Sequence, residues 1–269
     1  MIVTVRSTRN PDITKQMSLQ MAMRHPKRWK VLDQIDIVSV NYEPVTVPVP
    51  DGVKIVVAVI VYNRFKNIQE WVRCWQKSIT DNAQLVVIHN YKTPQEKKSY
   101  GDFCRKNGIG YVPRENIGFD IGALQDVSKQ RLKGFPEYDY LLWCTDDLWP
   151  QRKTFIQEYW AVYKEDVKAT CYEISKEVNP HIRTTGFMMK KEDVQRIKFN
   201  VDPIITKSQC YDFEHRDKAN SLIDQVKKFG APVQICNIEC SPMWDTGHNS
   251  FEAKMRRSRR EKEHTENFK

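Results

Sequence analysis

Two adjacent carboxylates, Asp146 and Asp147, close the stretch Tyr138-Asp-Tyr-Leu-Leu-Trp-Cys-Thr-Asp-Asp-Leu-Trp-Pro150. The apolar run Tyr140 to Cys144 is short, aromatic-rich and bounded by polar residues, which predicts a buried strand. In an α/β chain, acids at the end of such a strand sit at the sheet edge where ligands bind. Paired there, they suit a hard divalent cation, itself chelated by a substrate diphosphate. The same residues also read as a strand followed by an acidic helix N-terminus, with Asp147 as its cap. This segment alone does not choose between the two.

A second stretch with chemistry in it is Glu115-Asn-Ile-Gly-Phe-Asp-Ile-Gly-Ala123. Gly118 and Gly122 stand four apart, interleaved with Asn116 and Asp120, ahead of a helix expected over Ala123 to Lys133. Glycine lets backbone approach a ligand closely, while Asn and Asp hydrogen-bond a nucleoside. The spacing is not the dinucleotide fingerprint, and without a ligand the segment is simply a glycine turn opening a helix. Of the seven cysteines, several lie inside apolar runs (Cys144, Cys171, Cys236), the pattern of reduced, buried thiols in a cytoplasmic protein. Cys236 and Cys240 have ligand-like spacing, but nothing nearby completes a zinc set, so they read as core.

The elements that must position these residues begin at Val53. Lys54 to Tyr62 is a nearly continuous β-branched run, as expected of a central parallel strand covered on both faces. It ends in Asn63-Arg64, and Ile68, Trp71, Val72 and Trp75 then recur at helical spacing. A strand over Gln84 to His89 ends in Asn90; a helix over Gln95 to Lys106 leads to a short strand over Gly108 to Val112. Strand and helix in alternation predict a parallel sheet with right-handed crossovers. Beyond the acids, a helix is expected over Thr154 to Lys164, and strands over Lys168 to Ile174 and His181 to Met189. A helix running to Lys228 closes at Phe229-Gly230, and a last strand covers Val233 to Ile238. Before Val53 the pattern is weaker: a short helix over Ser18 to Met23, an edge strand over Ile35 to Val40, and three prolines that make Val45 to Val49 a poor central strand.

At 269 residues, with 40% hydrophobic and 11% aromatic content, the chain can bury a substantial core. The start carries no apolar leader and the longest apolar run is too short to span a bilayer, so a cytoplasmic protein is expected. The net charge of +9 is concentrated: residues 1–30 hold seven Lys/Arg and one Asp, and residues 252–269 hold seven Lys/Arg and four Glu. Those balances, +6 and +3, account for the whole excess, and the 221 residues between are neutral. Basic ends of this kind attract a polyanion or are solvated, partly disordered tails.

Four of these pieces, in this order, resemble the GT-A fold nucleotide-sugar glycosyltransferases, especially the large family-two-like group. Tyr62-Asn63-Arg64 after the first strand is similar to that family's opening, and Asn116-Ile-Gly-Phe-Asp-Ile-Gly-Ala123 to its Asn-x-Gly segment. Leu141 to Pro150 resembles its DXD strand, and Thr184-Thr-Gly-Phe-Met-Met-Lys-Lys-Glu-Asp-Val194 its acceptor-side strand and helix. The resemblance covers residues 53–250, and implies an α/β domain with a mixed, mostly parallel sheet flanked by helices. Residues 1–52 would form an N-terminal extension and 251–269 a basic C-terminal tail. It also implies a donor site at Tyr62, Asn63, Arg64, Asn90, Asn116, Gly118, Asp120 and Gly122, with Thr185, Gly186 and Phe187 on the acceptor side. Mn²⁺ or Mg²⁺ would be held by Asp146 and Asp147, with His248 as the further ligand the family often supplies; a lone His in a glycine-containing loop is otherwise simply exposed. The chain departs from the family where the motif's first acid becomes Cys144. An inverting enzyme needs a carboxylate base; counted back from Gly230 it falls nearest Asp217, with Glu214 and Asp212 as rivals, and each would otherwise cap a helix.

The resemblance implies a glycosyltransferase using a nucleoside-diphosphate sugar. The basic ends favour a hydroxymethylated base in DNA as acceptor, as in phage-type DNA modification. A lipid-linked or surface glycan is the alternative, although Phe251, Met255 and Phe268 do not form the apolar face an interfacial helix needs. From other classes, a metal-dependent nuclease or nucleotidyltransferase and a non-catalytic nucleic-acid binder also fit the charge.

Overall fold

The protein is described by a computed structural model covering the backbone of residues 2–7, 14–18 and 29–31, and residues 44–175, 179–217, 219–235, 240–246 and 260–269 in full. The chain divides into two units, Met1–Pro44 and Val45–Lys269. In the first, β1 (Ile2–Ser7), β2 (Thr14–Ser18) and β3 (Trp29–Val31) form an antiparallel sheet of order β2-β1-β3. Ser18, expected to open a helix, closes a strand instead. The rest of that predicted helix, and the strand predicted over Ile35 to Val40, lie outside the described residues.

The second unit is built on a seven-stranded sheet. An inner strand, β4 (Ile55–Val61), is the β-branched run, and all of it is buried. It lies parallel to β5 (Ala83–Tyr91) on one side and to β7 (Tyr140–Thr145) on the other, and β5 in turn pairs in parallel with β6 (Gly110–Glu115). On the far side of β7, β12 (Gly186–Lys190) runs antiparallel, followed by β9 (Val167–Cys171) and β13 (Ala231–Gln234). The order is β13-β9-β12-β7-β4-β5-β6, a mixed and mostly parallel sheet, as expected. Two small ribbons flank it: β8 (Leu148–Pro150) with β14 (Met243–Asp245), and β10 (Ile174–Ser175) with β11 (His181–Ile182). The run expected as one strand from His181 to Met189 is thus split, because Arg183 to Thr185 turn the chain between β11 and β12.

Alternate residues of the central strands enter two separate cores, one on each sheet face. On one face Val57 and Val59 meet Ile68, Trp71 and Val72 of α1 (Phe65–Trp75); on the other Ala58 and Ile60 meet Ile121 and Leu124 of α3 (Phe119–Ser128). Helix α2 (Pro94–Lys106) opens with a capping box between Thr93 and Glu96 and with Pro94 in its first turn. The remaining helices are α4 (Phe155–Val162), α5 (Lys191–Arg196), α6 (Lys207–Tyr211), which continues as a π-turn over Asp212–Arg216, and α7 (Leu222–Phe229). No helix of the described residues is long and apolar enough to cross a membrane.

The C-terminal residues depart from the expected tail. Residues 260–267 are helical (α8), and Arg260, His264 and Phe268, spaced four apart, are all buried. Two polar members disguise that face in the sequence. His264 Nδ1 lies 2.8 Å from the Pro150 carbonyl oxygen and Nε2 lies 2.7 Å from Glu70 Oε1. Arg73 Nη2 donates to Glu70 Oε1 at 2.5 Å and Nη1 to the Phe268 carbonyl at 3.0 Å. Glu70, Cys74 and His264 have the side chains of metal ligands, their ligand atoms within 4.8 Å of one another, but the Arg73 guanidinium supplies the positive charge there.

Hydrogen bonds from Arg73, and then His264, hold the Glu70 carboxyl at about 2, against an ordinary 4.5, with burial opposing them. A depressed carboxyl stabilises the fold above its unfolded pKa and loses that contribution as pH falls through the folded one. Glu70→Gln is therefore expected to cost about 1–2 kcal/mol at pH 6. Urea unfolding of both proteins should show the difference shrinking as pH falls from 4.5 towards 2.

Candidate active site

The ends of β4 and β7 are level, Ile60 pairing with Thr145, so the residues that follow leave the sheet side by side. After β4 the chain turns at Asn63, which adopts a left-handed φ of 57°, a conformation that asparagine tolerates better than most side chains. The turn sets Arg64 ahead of α1 with its Nη1 3.1 Å from Asp147 Oδ2 and 3.5 Å from Asp146 Oδ1. Tyr62 beside it is 40% exposed.

After β7, the Asp146 amide donates to the Ile60 carbonyl at 3.0 Å, carrying the sheet register one residue further. The Asp146 side chain is buried, and its Oδ2 has no hydrogen-bond partner among the described residues. Burial first, and then the Asp147 carboxylate, push its pKa up to about 8 against the pull of Arg64. The Thr145 hydroxyl donates to Asp147 Oδ1, and Trp149 Nε1 donates to the Asp146 carbonyl at 3.1 Å. Thr246 donates to the Asp147 carbonyl twice, from its amide at 2.6 Å and its hydroxyl at 2.9 Å. The acid turn is thereby tied to the end of β14. Asp245, opposite Leu148 in that ribbon, is close enough for its charge to act on Arg64.

Asp245 and Thr246 were not among the residues singled out from the sequence. Their signal was the segment Asp245-Thr-Gly-His248, read there only for its histidine. His248 itself lies outside the described residues. Cys144, at the position of the motif's first acid, is fully buried opposite Gly186, with its thiol pKa raised by burial. It is core, not a ligand.

The glycine segment forms the neighbouring wall. Gly118 and Phe119 both take left-handed φ, 71° and 56°, ahead of α3. A Cβ on Gly118 would come 2.2 Å from the Ile204 carbonyl oxygen, and one on Gly122 2.3 Å from that of Ile117. Chain packing thus accounts for both glycines. Asn90 is 2% exposed, and both ends of its amide are engaged: Nδ2 donates to the Phe119 carbonyl at 3.0 Å and Oδ1 accepts from Arg114 Nη1 at 2.6 Å. Arg114 also bonds the Ile117 carbonyl at 2.8 Å and Asp126 at 3.0 Å. Asn90 therefore positions the loop and does not itself face a nucleotide, contrary to the sequence expectation. Asn116 remains available, with Oδ1 buried and unpartnered among the described residues. Asp120 is pushed up to about 6, by burial and by the charge of Glu214 against that of Lys207, and its own charge reaches Asp146.

On the other flank, Thr184 Oγ1 donates to Glu214 Oε1 at 3.0 Å. The Glu214 charge acts on Asp120, whose own charge acts on Asp146. Asp217 instead organises a turn: its carboxylate accepts from Asn220, from the Ala219 amide and from Asn200, which hold its pKa below the usual range. The cap of the following helix is Ser221, whose side chain accepts from the Asp224 amide, so Asp217 is neither that cap nor a free carboxylate. Asp212 lines a small cavity with Asn200, Ile204 and Phe213. Phe187 is fully buried opposite Trp143, so it belongs to the core and not to an acceptor surface. Gly186 packs so closely that a Cβ would fall 2.2 Å from Leu148. Thr185 keeps a buried hydroxyl without a partner among the described residues.

No protein-family model and no curated protein sequence matches the chain. Among solved structures it is similar to the mannosyltransferase PcManGT from Pyrobaculum calidifontis in complex with GDP-Man and Mn²⁺, with a TM-score of 0.53 at 12% identity. That match covers 81% of this chain and 65% of the other, so this chain spans about two-thirds of that enzyme's length. The chain has the GT-A glycosyltransferase fold. It is also similar to glucosyl-3-phosphoglycerate synthase from Mycobacterium tuberculosis in complex with Mn²⁺, UDP and glucosyl-3-phosphoglycerate, with a TM-score of 0.49, 11% identity and 80% of each chain covered.

Gly118→Ala tests the packing role of the GT-A glycine segment. It combines a left-handed φ with a collision against the Ile204 carbonyl, and is expected to destabilise by about 2–4 kcal/mol in chemical denaturation. Gly134→Ala, also at positive φ but with open space around its Cβ, should cost about 1–2 kcal/mol.

Proposed function

We propose that this protein transfers a sugar from a nucleoside-diphosphate sugar to a hydroxyl acceptor. The observation that carries the reading is Asp146: a buried carboxylate with one unpartnered oxygen, beside Asp147 and Arg64, at the strand ends where α/β sheets bind ligands. Unpaired buried carboxylate oxygen is a hard donor, and with Asp147 and Asp245 nearby the set fits Mn²⁺ or Mg²⁺. Bound there, the ion would neutralise charge on a diphosphate leaving group.

The chain's own residues do the rest. Arg64, half exposed and already between the carboxylates, offers its guanidinium to the same diphosphate. Asn116 and Asp120 face the nucleoside from the loop that Asn90 and Arg114 hold in shape, and Tyr62 offers an exposed ring to a base. Glu214, oriented by Thr184, takes the proton of the acceptor hydroxyl, with Thr185 beside it. For the acceptor we favour a hydroxymethylated base in DNA. The excess of basic residues at the two ends of the sequence, around a neutral middle, supports it.

Purified protein, Mn²⁺ and a panel of nucleotide sugars, incubated with duplex DNA containing 5-hydroxymethylated pyrimidines, should give a hexose or pentose mass increment on one nucleoside. Asp146→Asn should lower that transfer by about 100-fold or more, and should weaken Mn²⁺ binding measured by electron paramagnetic resonance in the presence of UDP. Transfer by Asp146→Asn at the wild-type rate would falsify the assignment of the acid centre.

A further inference from the structure

Four side chains from the start of α3, from α6 and from the π-turn alternate between ring and cation. Lys207 Nζ lies 5.2 Å from the ring centre of Phe119 and 5.5 Å from that of Tyr211, the Arg216 guanidinium lies 4.9 Å from Tyr211, and the His215 ring stacks on Tyr211 at 5.5 Å. Phe119 is 37% exposed although it is a large aromatic residue, and both cations are exposed. The π-turn over Asp212–Arg216 makes the row possible. Its wider winding brings residue i+5 under residue i, so Arg216 meets Tyr211. Neither Lys207 nor Arg216 forms an ion pair with a described residue; Arg216 makes only a 3.4 Å bond to the Ser208 hydroxyl.

We propose that Phe119, Lys207, Tyr211 and Arg216 form a docking track for a single-stranded stretch of nucleic acid, whose inner end delivers a base to the acid centre. Rings that alternate with cations suit a strand of alternating bases and phosphates, because bases stack on aromatic or guanidinium planes while phosphates take the charges. A neutral glycan would leave the cations unused, and a membrane surface calls for a continuous apolar face. The track abuts the glycine segment: Cys210 Sγ of α6 donates to the Gly118 carbonyl at 3.5 Å, and Phe119 adjoins Asp120, whose charge acts on Asp146. The inference rests on the glycosyltransferase reading for what happens at that inner end, and on the track alone for binding.

The test is fluorescence anisotropy with a labelled oligothymidylate of about 12 nucleotides, titrated at several salt concentrations. UDP and GDP binding with Mn²⁺ is measured by calorimetry on the same proteins. Tyr211→Ala should weaken oligonucleotide binding roughly tenfold, with Tyr211→Phe close to wild type. Lys207→Gln with Arg216→Gln should weaken it further and reduce the salt slope by about 1.4, since each cation contributes about 0.7 on a single strand. Unchanged nucleotide binding in these variants shows that the fold is intact. Three results would each overturn the track: no oligonucleotide binding by the wild type, equal binding by the variants, or dextran sulfate binding as tightly as the oligonucleotide with Tyr211→Ala without effect. Oligonucleotide binding without any nucleotide binding would leave the track standing and remove the transferase reading.

Discussion

Two carboxylates side by side at the end of a buried strand repel each other, and the surrounding structure is arranged to contain that repulsion. At Asp146, burial first and then the neighbouring carboxylate raise the pKa to about 8. Two groups counter the repulsion at the carboxylates, Arg64 from the end of β4 and the Thr145 hydroxyl from β7 itself, while Thr246 from the end of β14 pins the Asp147 carbonyl. The level parallel register of β4 and β7 delivers residues 62–64 and 146–147 to one edge. The unbroken β-branched run of β4 holds that register by filling a core on each face.

The single antiparallel strand in this half of the sheet has a matching consequence. Because β12 runs against β7, pairing Gly186 with Cys144, its first residues and not its last stand at the edge where the acids emerge. Thr184 and Thr185 are therefore brought to the acid centre from the opposite flank, and Glu214 with them through the Thr184 hydroxyl. Reversing one strand lets a chain segment some 40 residues downstream close the acid centre from the flank opposite the parallel strands.

The central sheet was legible in the sequence because buried parallel strands are apolar throughout and their helices are strongly amphipathic, as the runs from Lys54 to Trp75 and Gln84 to Val112 show. The acids were legible for the same reason: polar residues that interrupt such a run abruptly stand out. Other roles were hidden because residue type alone does not reveal a partner. Asn90 has the chemistry of a nucleoside contact, yet Arg114 and the Phe119 carbonyl take up its amide. Asp217 has the chemistry of a base, yet three donors in its own turn take up its carboxylate. Phe187 counts as core only once its strand is known to face Trp143. The docking of α8 was concealed by charge, since Arg260 and His264 occupy the face that a hydrophobic pattern would have marked.

Polar atoms left unsatisfied inside a fold are uncommon and call for a reason. Some here are indole nitrogens within the two cores, such as those of Trp71 and Trp143. Three others fall into a row along one edge of the sheet: Asn116 Oδ1 just after β6, Asp146 Oδ2 just after β7, and Thr185 Oγ1 just before β12. Each comes from a different strand end, and each is flanked by groups that are fully engaged: Arg114 beside Asn116, Thr145 beside Asp146, Thr184 beside Thr185. An acceptor-rich row held by satisfied neighbours resists collapsing on itself. Beyond Arg64, what would complete it is a ligand bringing positive charge and hydrogen-bonding groups, which the proposed metal–nucleotide and hydroxylated acceptor would supply.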